Sequence, residues 1–309
     1  MINQIKLAAK FAHKDKNNAA SNIYVNDGLM QSHDLVCGIT LQVDSDFNFC
    51  CNAAKLNQVV SKCDPDKLKL TLKNGKLEVK SGRIRSKIDT MPLDSYPYFE
   101  QMEAYSEYEA NILEDLKDLS KFTDPDDVRL FMQGVLIHDN AIVATNGHVA
   151  VKKTIELPVM DASNIPTKSI IKLSSAKLEC SKLSVAENSV EFIFNGGRMF
   201  TKKISSPYPD VDRIISDIEN PTVIESFIDD LKTINSMCSD DKTVVIGDNL
   251  ETRDGSTKIE GVNLPECCFN SDYLINIASV AHSIDLSTFP APCPFEGDNI
   301  KGAIVGIRI

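Results

Sequence analysis

Apolar and polar positions alternate in short runs along this chain, and brief segments with helical spacing separate those runs. The middle of the chain is the clearest. Ile112, Leu113, Leu116 and Leu119 fall on one stripe of a helix predicted over 111–121. Residues 128–138 read as a strand, Asp139-Asn140 as a turn, and 141–145 as a second strand. Asn146-Gly147 then turns the chain into 148–153. Both residues tolerate positive φ, so the pair predicts a type I′ hairpin turn. After a loop, a short helix runs from Pro166 to about Leu173, with proline at its start. Residues 183–185 and 190–194 form strands around a turn at Asn188, and Asn195-Gly196-Gly197 leads into a last strand over 198–204.

The same order recurs on either side. Residues 4–13 and 53–61 are predicted helices, and 68–72 and 77–79 are strands joined at Asn74-Gly75. The last third is shorter, with a helix over 223–234 and a final strand over 303–309. Landmarks repeat at a nearly fixed step. Lys55, Lys168 and Tyr273 sit in comparable helix starts, 113 and 105 positions apart. The polar turns His33-Asp34, Asn146-Gly147 and Asp254-Gly255 step by 112 and 108, and Tyr96-Pro97 and Tyr208-Pro209 are 112 apart. A period of this size is a domain, not a solenoid repeat. The expectation is an α+β chain of three tandem modules, at 1–106, 107–217 and 218–309, each with two helices and several antiparallel strands.

Composition narrows the function. A hydrophobic share of 42% over 309 residues supports real cores. No run reaches the roughly 18–20 apolar residues of a membrane span. Residues 1–16 read as an amphipathic helix with Lys6, Lys10, Lys14 and Lys16, not as a signal peptide, so a cytoplasmic protein is expected. Nine cysteines and five scattered histidines show no metal-ligand spacing, so neither a disulfide framework nor a cofactor is expected. Pairs such as His148 with Asn146, or Cys180 with His138, lack a nucleophile elbow or phosphate loop around them, and the protein is read as no enzyme.

Net charge is -11, but it is unevenly spread. Residues 1–106 hold 14 Lys and Arg against 12 Asp and Glu, 107–217 hold 13 against 17, and 218–309 hold 6 against 15. One end is mildly basic and the other strongly acidic, which favours complementary ends.

Several segments, taken in order, resemble the bacterial-type DNA polymerase sliding clamp, the beta-subunit processivity factor. They are Ala53-Ala54-Lys55-Leu56, Ser81-Gly82-Arg83-Ile84-Arg85, Thr90-Met91-Pro92 and Tyr96-Pro97 in the first module. The second offers Asp127-Val128-Arg129, Gln133-Gly134, Val143 to His148, Ile165-Pro166-Thr167-Lys168 and Tyr208-Pro209-Asp210 through Arg213. The third offers Phe269-Asn270, Tyr273-Leu274 and the tail Ile307-Arg308-Ile309. The resemblance implies three tandem copies of the DNA-clamp fold, with helix pairs inside and antiparallel sheets outside. It implies a head-to-tail homodimer ring that encircles double-stranded DNA without reading sequence. It also implies peptides of DNA polymerase and clamp loader as partners. The compact length fits a phage version, in which case the compartment is the host cytoplasm. The competing expectation is a scaffold of clamp fold that does not encircle DNA.

Site residues follow from the same resemblance. The peptide cleft is expected from Met132, Thr145, Gly147, His148, Val149, Ala150, Pro209, Arg213, Ile214, Val305, Gly306, Ile307, Arg308 and Ile309. Contacts to DNA are expected from Lys10, Lys14, Lys16, Lys117, Lys121, Arg129, Lys168 and Lys172. The dimer interface is expected from Lys55, Arg83, Arg85 and Lys87, facing acids such as Glu251, Asp254 and Glu260. Three departures stand out: Val149-Ala150 where the family usually has Arg-Leu, Gly306 where it often has proline, and Leu130-Phe131 where it often has Tyr-Tyr.

Overall fold

A computed structural model describes residues 1–46, 48–101, 103–104, 106–238, 242–258 and 264–308. In the first third, α1 (Ile2–Phe11) precedes β1 (Asn22–Asn26), β2 (Leu29–His33), β3 (Cys37–Gln42) and β4 (Phe49–Asn52). Helix α2 (Ala53–Val60) and strands β5 (Lys69–Lys73), β6 (Lys76–Ser81) and β7 (Ile84–Asp89) follow. Next come β8 (Ser106–Tyr108), α3 (Leu113–Leu119), the long strands β9 (Gly134–Thr145) and β10 (Val149–Pro166), and α4 (Thr167–Ser174). Strands β11 (Cys180–Val185), β12 (Ser189–Phe194) and β13 (Gly197–Lys202) complete the middle. The last third holds β14 (Thr222–Val223), α5 (Ile228–Met237), β15 (Thr243–Ile246), β16 (Asn249–Thr252), β17 (Gly255–Lys258) and β18 (Cys267–Asn270). It ends with α6 (Ser271–Ala278), β19 (Ser283–Ile284), β20 (Cys293–Gly297) and β21 (Ile300–Ile304).

Two helix starts show how local sequence acts. β4 and β18 each end on an asparagine whose side chain accepts from the next turn: Asn52 from the Lys55 N–H, Asn270 from those of Asp272 and Tyr273. Such caps satisfy donors that a helix start leaves free, contributing about 1 kcal/mol. At Asn74-Gly75 both residues have positive φ, +51° and +68°, as the hairpin turn requires.

The chain folds as two compact units. The first comprises residues 1–113 and 169–203, the second 114–168 and 204–309. In the first, an eight-stranded sheet runs β4-β1-β2-β3-β13-β12-β11-β8, and β5-β6-β7 form a separate three-stranded sheet. Helix α1 packs on α2 and covers β2 and β3, burying Ile5, Ala8 and Phe11 completely. In the second, a six-stranded sheet runs β14-β19-β20-β21-β10-β9 and a four-stranded sheet β17-β16-β15-β18. There α5 packs on α6 and over β16 and β17. The boundary passes through the predicted middle module because β3 pairs with β13 and β10 with β21, so each half of that module extends a neighbour's sheet.

Several local expectations are corrected. Asp139-Asn140 is not a turn. β9 continues through it, with Asp139 at φ +49° paired to Val159 between two register shifts, and the extra residues at both shifts lie on β10, which bulges against it. No loop precedes α4, because β10 runs unbroken for 18 residues beside β9. Asn146-Gly147 does close a hairpin, but only Gly147 has positive φ (+85°). The Asn146 side chain instead accepts from the His148 and Val149 N–H groups, a side-chain-closed turn in place of type I′. Residues 130–133 form a 3-10 turn, not a strand. His33 is buried in β2. The helix predicted over 223–234 begins at Ile228, and the last strand ends at Ile304.

Candidate peptide-binding and DNA-facing surfaces

Thirteen of the fourteen residues expected in the peptide cleft can be placed, all in the second unit; Ile309, like Glu260, lies outside the described residues. Met132, Thr145 to Ala150 and Val305 to Arg308 lie at the β9–β10 turn and the segment after β21, while Pro209, Arg213 and Ile214 lie at the 3-10 turn over 211–213. The Val305 N–H donates to the His148 carbonyl at 2.8 Å, and the Ile307 N–H to the Cys268 carbonyl at 2.7 Å. The terminal segment is thus tied to both neighbours by main-chain bonds and not by sheet pairing. The His148 ring stacks on Tyr273 at 5.7 Å. At Gly147 the positive φ of +85° selects glycine, and a Cβ there would press on the flexible ends of Met132 at 3.0 Å and Arg129 at 3.3 Å. At Gly306 it would collide with Phe289.

Burial sorts the expected walls. Val149 and Ala150 are each 1% exposed and pair with Ile304 and Ala303; they are core strand residues that underlie the surface and do not line it. Met132 and Thr145 are also buried. Gly147, His148, Pro209, Arg213, Ile214, Val305, Ile307 and Arg308 remain open to solvent. Exposed Ile214, Val305 and Ile307 are the apolar side chains free to meet a partner.

Sequence reasoning missed a groove of about 740 Å³ that shares only Pro209 with the expected set. Leu136, Ala141, Val143, Tyr208 and Val211 give it apolar surface, and Ala141, Val143 and Val211 pack with Ala150 as one cluster. The apolar run 141–145 could have marked Ala141 and Val143, but not the segment that covers them.

The expected DNA contacts divide by what each cation touches. Helix α1 buries Ile2, Ile5, Ala8 and Phe11 and presents Lys6 and Lys10 on its exposed side. Lys6, Lys10, Lys14 and Lys16 have no acidic partner among the described residues. Lys117, Lys121 and Lys168 sit in exposed ion pairs with Glu114, Asp118 and Asp126. Lys172 does not face solvent freely. Its ammonium meets Asp34 at 2.6 Å and the Phe11 carbonyl at 3.1 Å, and lies 5.5 Å from the Phe11 ring. Arg129 binds Asp127 through two nitrogens at 2.9 and 2.8 Å, holding that carboxyl down at about 2. It lies beside Gly147 and Met132, with the peptide-side residues.

Of the expected interface residues, Lys55 is exposed on α2, and Arg85 and Lys87 project from one face of β7. Arg83 precedes that strand. Lys87 and Lys80 share Glu78 at 3.2 Å each. Lys69, Lys80 and Arg85 stand directly opposite one another across three strands.

No family model matches the chain, and no curated protein does. Solved structures do. The beta clamp of Helicobacter pylori bound to a DNA ligase peptide superposes with a TM-score of 0.83, covering 99% of this chain and 97% of its own at 16% identity. The chain has the sliding-clamp fold. The DNA polymerase sliding clamp of Pseudomonas aeruginosa gives 0.84 at 17% identity, and the DNA polymerase III beta subunit of Thermotoga maritima 0.79 at 18%. Each covers 100% of this chain and 97% of its own. Clamp-fold proteins thus match the whole length, including the last third, where the sequence resemblance is thinnest. Among the described residues, no helix is long and apolar enough to cross a membrane.

Proposed function

We propose that two copies of this chain close head to tail into a ring around duplex DNA and hold replication enzymes by their peptides. The chain then comprises three clamp modules, near 1–106, 107–217 and 218–309, and catalyses no reaction. The carrying observation is a strand-pairing rule applied twice within one chain. β3 pairs with β13, from Cys37↔Thr201 to Leu41↔Gly197, and β10 pairs with β21, from Val149↔Ile304 to Lys153↔Ile300. β13 and β21 are the outer strands of closing hairpins, and β7 is the corresponding strand of the first module. β17 corresponds to β3 and β10. Among the described residues of a single chain neither β7 nor β17 has that neighbour, and both are sheet edges. A second copy supplies both, and repeated head-to-tail contact closes a ring.

Equivalent positions give the register. Ile84, Gly197 and Ile300 open the three closing strands, and Leu250 and Met30 are buried counterparts in β16 and β2. Matching them sets Arg85 against Ser256 of the second copy, one strand from Glu251, and Lys87 against Asp254. Arg85 is then the counterpart of Arg198 and Lys301, which pair with Glu191 and Asp217. Arg85 has no acid among the described residues of its own chain. Like charges directly opposite, as in the Lys69–Lys80–Arg85 row, destabilise a sheet until an acid joins them. The acidic last third is that supply.

Lys6, Lys10, Lys14 and Lys16 are the cations best placed to touch phosphates without reading bases, as sliding requires. The exposed Ile214, Val305 and Ile307 with His148 form the peptide-docking surface.

Sedimentation mass and retention on circular DNA test this reading. A dimer is expected at micromolar concentration. Arg85→Glu should weaken it, and Arg85→Glu with Glu251→Arg should restore it. Protein retained on nicked circular DNA should be lost on linearisation. A monomeric mass, or retention indifferent to linearisation, rejects the ring; the second outcome leaves a DNA-binding scaffold of clamp fold.

A further inference from the structure

The groove beside Pro209 has a chemistry that the peptide-docking surface does not use. Its apolar floor, Ala141, Val143 and Val211, belongs to a packed cluster that Leu136 and Tyr208 extend. That floor cannot collapse, because the cluster sits on the paired strands β9 and β10. Its rim is acidic. His138, Asp139 and Asn140, on β9 where the extra residues of β10 bulge against it, line the mouth, and the 3-10 turn after Pro209 adds Asp210 and Asp212. Lys152 is the cation of the lining and pairs with Asp212 at 2.7 Å. Asp210 meets Arg213, itself 83% exposed, at 3.2 Å. Asp139 faces the His138 imidazole at 3.4 Å, a pair that is ionic only when the ring is protonated.

We propose that this groove seats a segment of a partner protein that places one aliphatic or aromatic side chain between Leu136 and Tyr208, with Lys or Arg beside it against Asp139 and Asp210. The partner class rests on the clamp reading; the recognition chemistry rests on the groove alone. With Asp212 held by Lys152 and Asp210 meeting Arg213, Asp139 leaves the mouth net negative, which disfavours a nucleic-acid backbone and favours a basic flank. The groove volume, about 740 Å³, lies in the range of sites that enclose several side-chain-sized groups, more than a single buried residue occupies. A second copy of this chain is a poorer occupant, since the strand edges that would join copies, β7 and β17, contribute nothing to the lining. The result is a specificity element next to the docking surface: an apolar anchor admits many peptides, and the acid rim sorts them by charge.

Methyl-resolved NMR of the full chain tests this, with acetyl-Lys-Leu-Phe-Lys-amide as one probe and acetyl-Glu-Leu-Phe-Glu-amide as the other. The basic probe should shift the methyl signals of Leu136, Val143 and Val211. It should bind about tenfold tighter than the acidic one at low salt, as two exposed ion pairs allow. Asp139→Asn with Asp210→Asn, both exposed and outside the core, should bring the two probes within about threefold of each other. Equal binding of both probes to the unaltered chain overturns the proposal. So do shifts confined to Val305 and Ile307, or shifts of the groove methyls by a short DNA duplex. None of these outcomes bears on the ring, which sedimentation and circular DNA report separately.

Discussion

The Tyr208 hydroxyl donates to the main-chain carbonyl of Val143 at 3.4 Å, across 65 residues of chain. Tyr96 reaches the Gln31 carbonyl at 3.4 Å, also across 65 residues. Burial pushes both phenols well above their usual range. Each tyrosine ties its own segment to a strand of the same unit, Tyr96 to β2 and Tyr208 to β9. Tyr208→Phe and Tyr96→Phe should each cost about 1 kcal/mol, the net value of one such bond. Tyr208→Ala should cost about 3 kcal/mol by leaving a cavity over Val143. Urea denaturation checks the order.

Lys172 and Asp34 form a partly shielded pair, with side chains 22% and 28% exposed. Burial alone would raise the Asp34 carboxyl, but the Lys172 ammonium and the Cys37 and Val36 N–H groups hold it below its ordinary value. A depressed acid contributes stability that is fully present above its unfolded pKa, near 4, and lost as pH falls through the folded one. Lys172→Met should therefore cost about 2 kcal/mol at neutral pH and flatten the acid limb of the stability curve. It should leave DNA retention unchanged, because this ammonium is already neutralised.

Lys6 and Lys10 carry the opposite expectation. Converting both to alanine should leave the urea midpoint nearly unchanged, since both face solvent from α1. It should reduce the slope of log affinity against log salt by about 2 in a DNA-binding titration. An unchanged slope would remove α1 from the DNA-facing surface.

His33 is 2% exposed; its Nδ1 accepts the Leu35 N–H at 3.1 Å, so its Nε2 donates to the Pro97 carbonyl at 2.7 Å. Burial lowers its pKa, favouring the neutral ring in the folded chain. Stability from this group is therefore complete above the unfolded value near 6.5 and declines as pH falls below it, where the unfolded chain takes up the proton first. His33→Gln should be less stable at pH 8 and lose that part of the pH dependence. Thermal melts between pH 5 and 8 separate the two effects.

Much of the framework was legible in the residues themselves. The 112-residue step between Tyr96 and Tyr208 reappears as two identical hydroxyl-to-carbonyl staples, and the Asn74-Gly75 turn and the helix start at Ala53 stand where local chemistry puts them. These features depend on φ preferences, caps and periodicity, all of which act within a few residues. The cleft is less legible: the resemblance places Val149 and Ala150 among its walls, yet strand partners more than 150 residues away bury them.

Sequence alone determined the α+β character, the recurring landmarks such as Tyr96-Pro97 and Tyr208-Pro209, and the helix that carries Lys6 and Lys10. Only the tertiary structure decided that β9 passes through Asp139-Asn140 and that β10 continues over 18 residues with its extra residues bulged against it, since each strand's hydrogen-bond partners come from the other. It also decided that Lys172 turns inward and that a groove opens beside Pro209. Those outcomes depend on which distant groups arrive within about 3 Å of a side chain, and no local pattern encodes that distance.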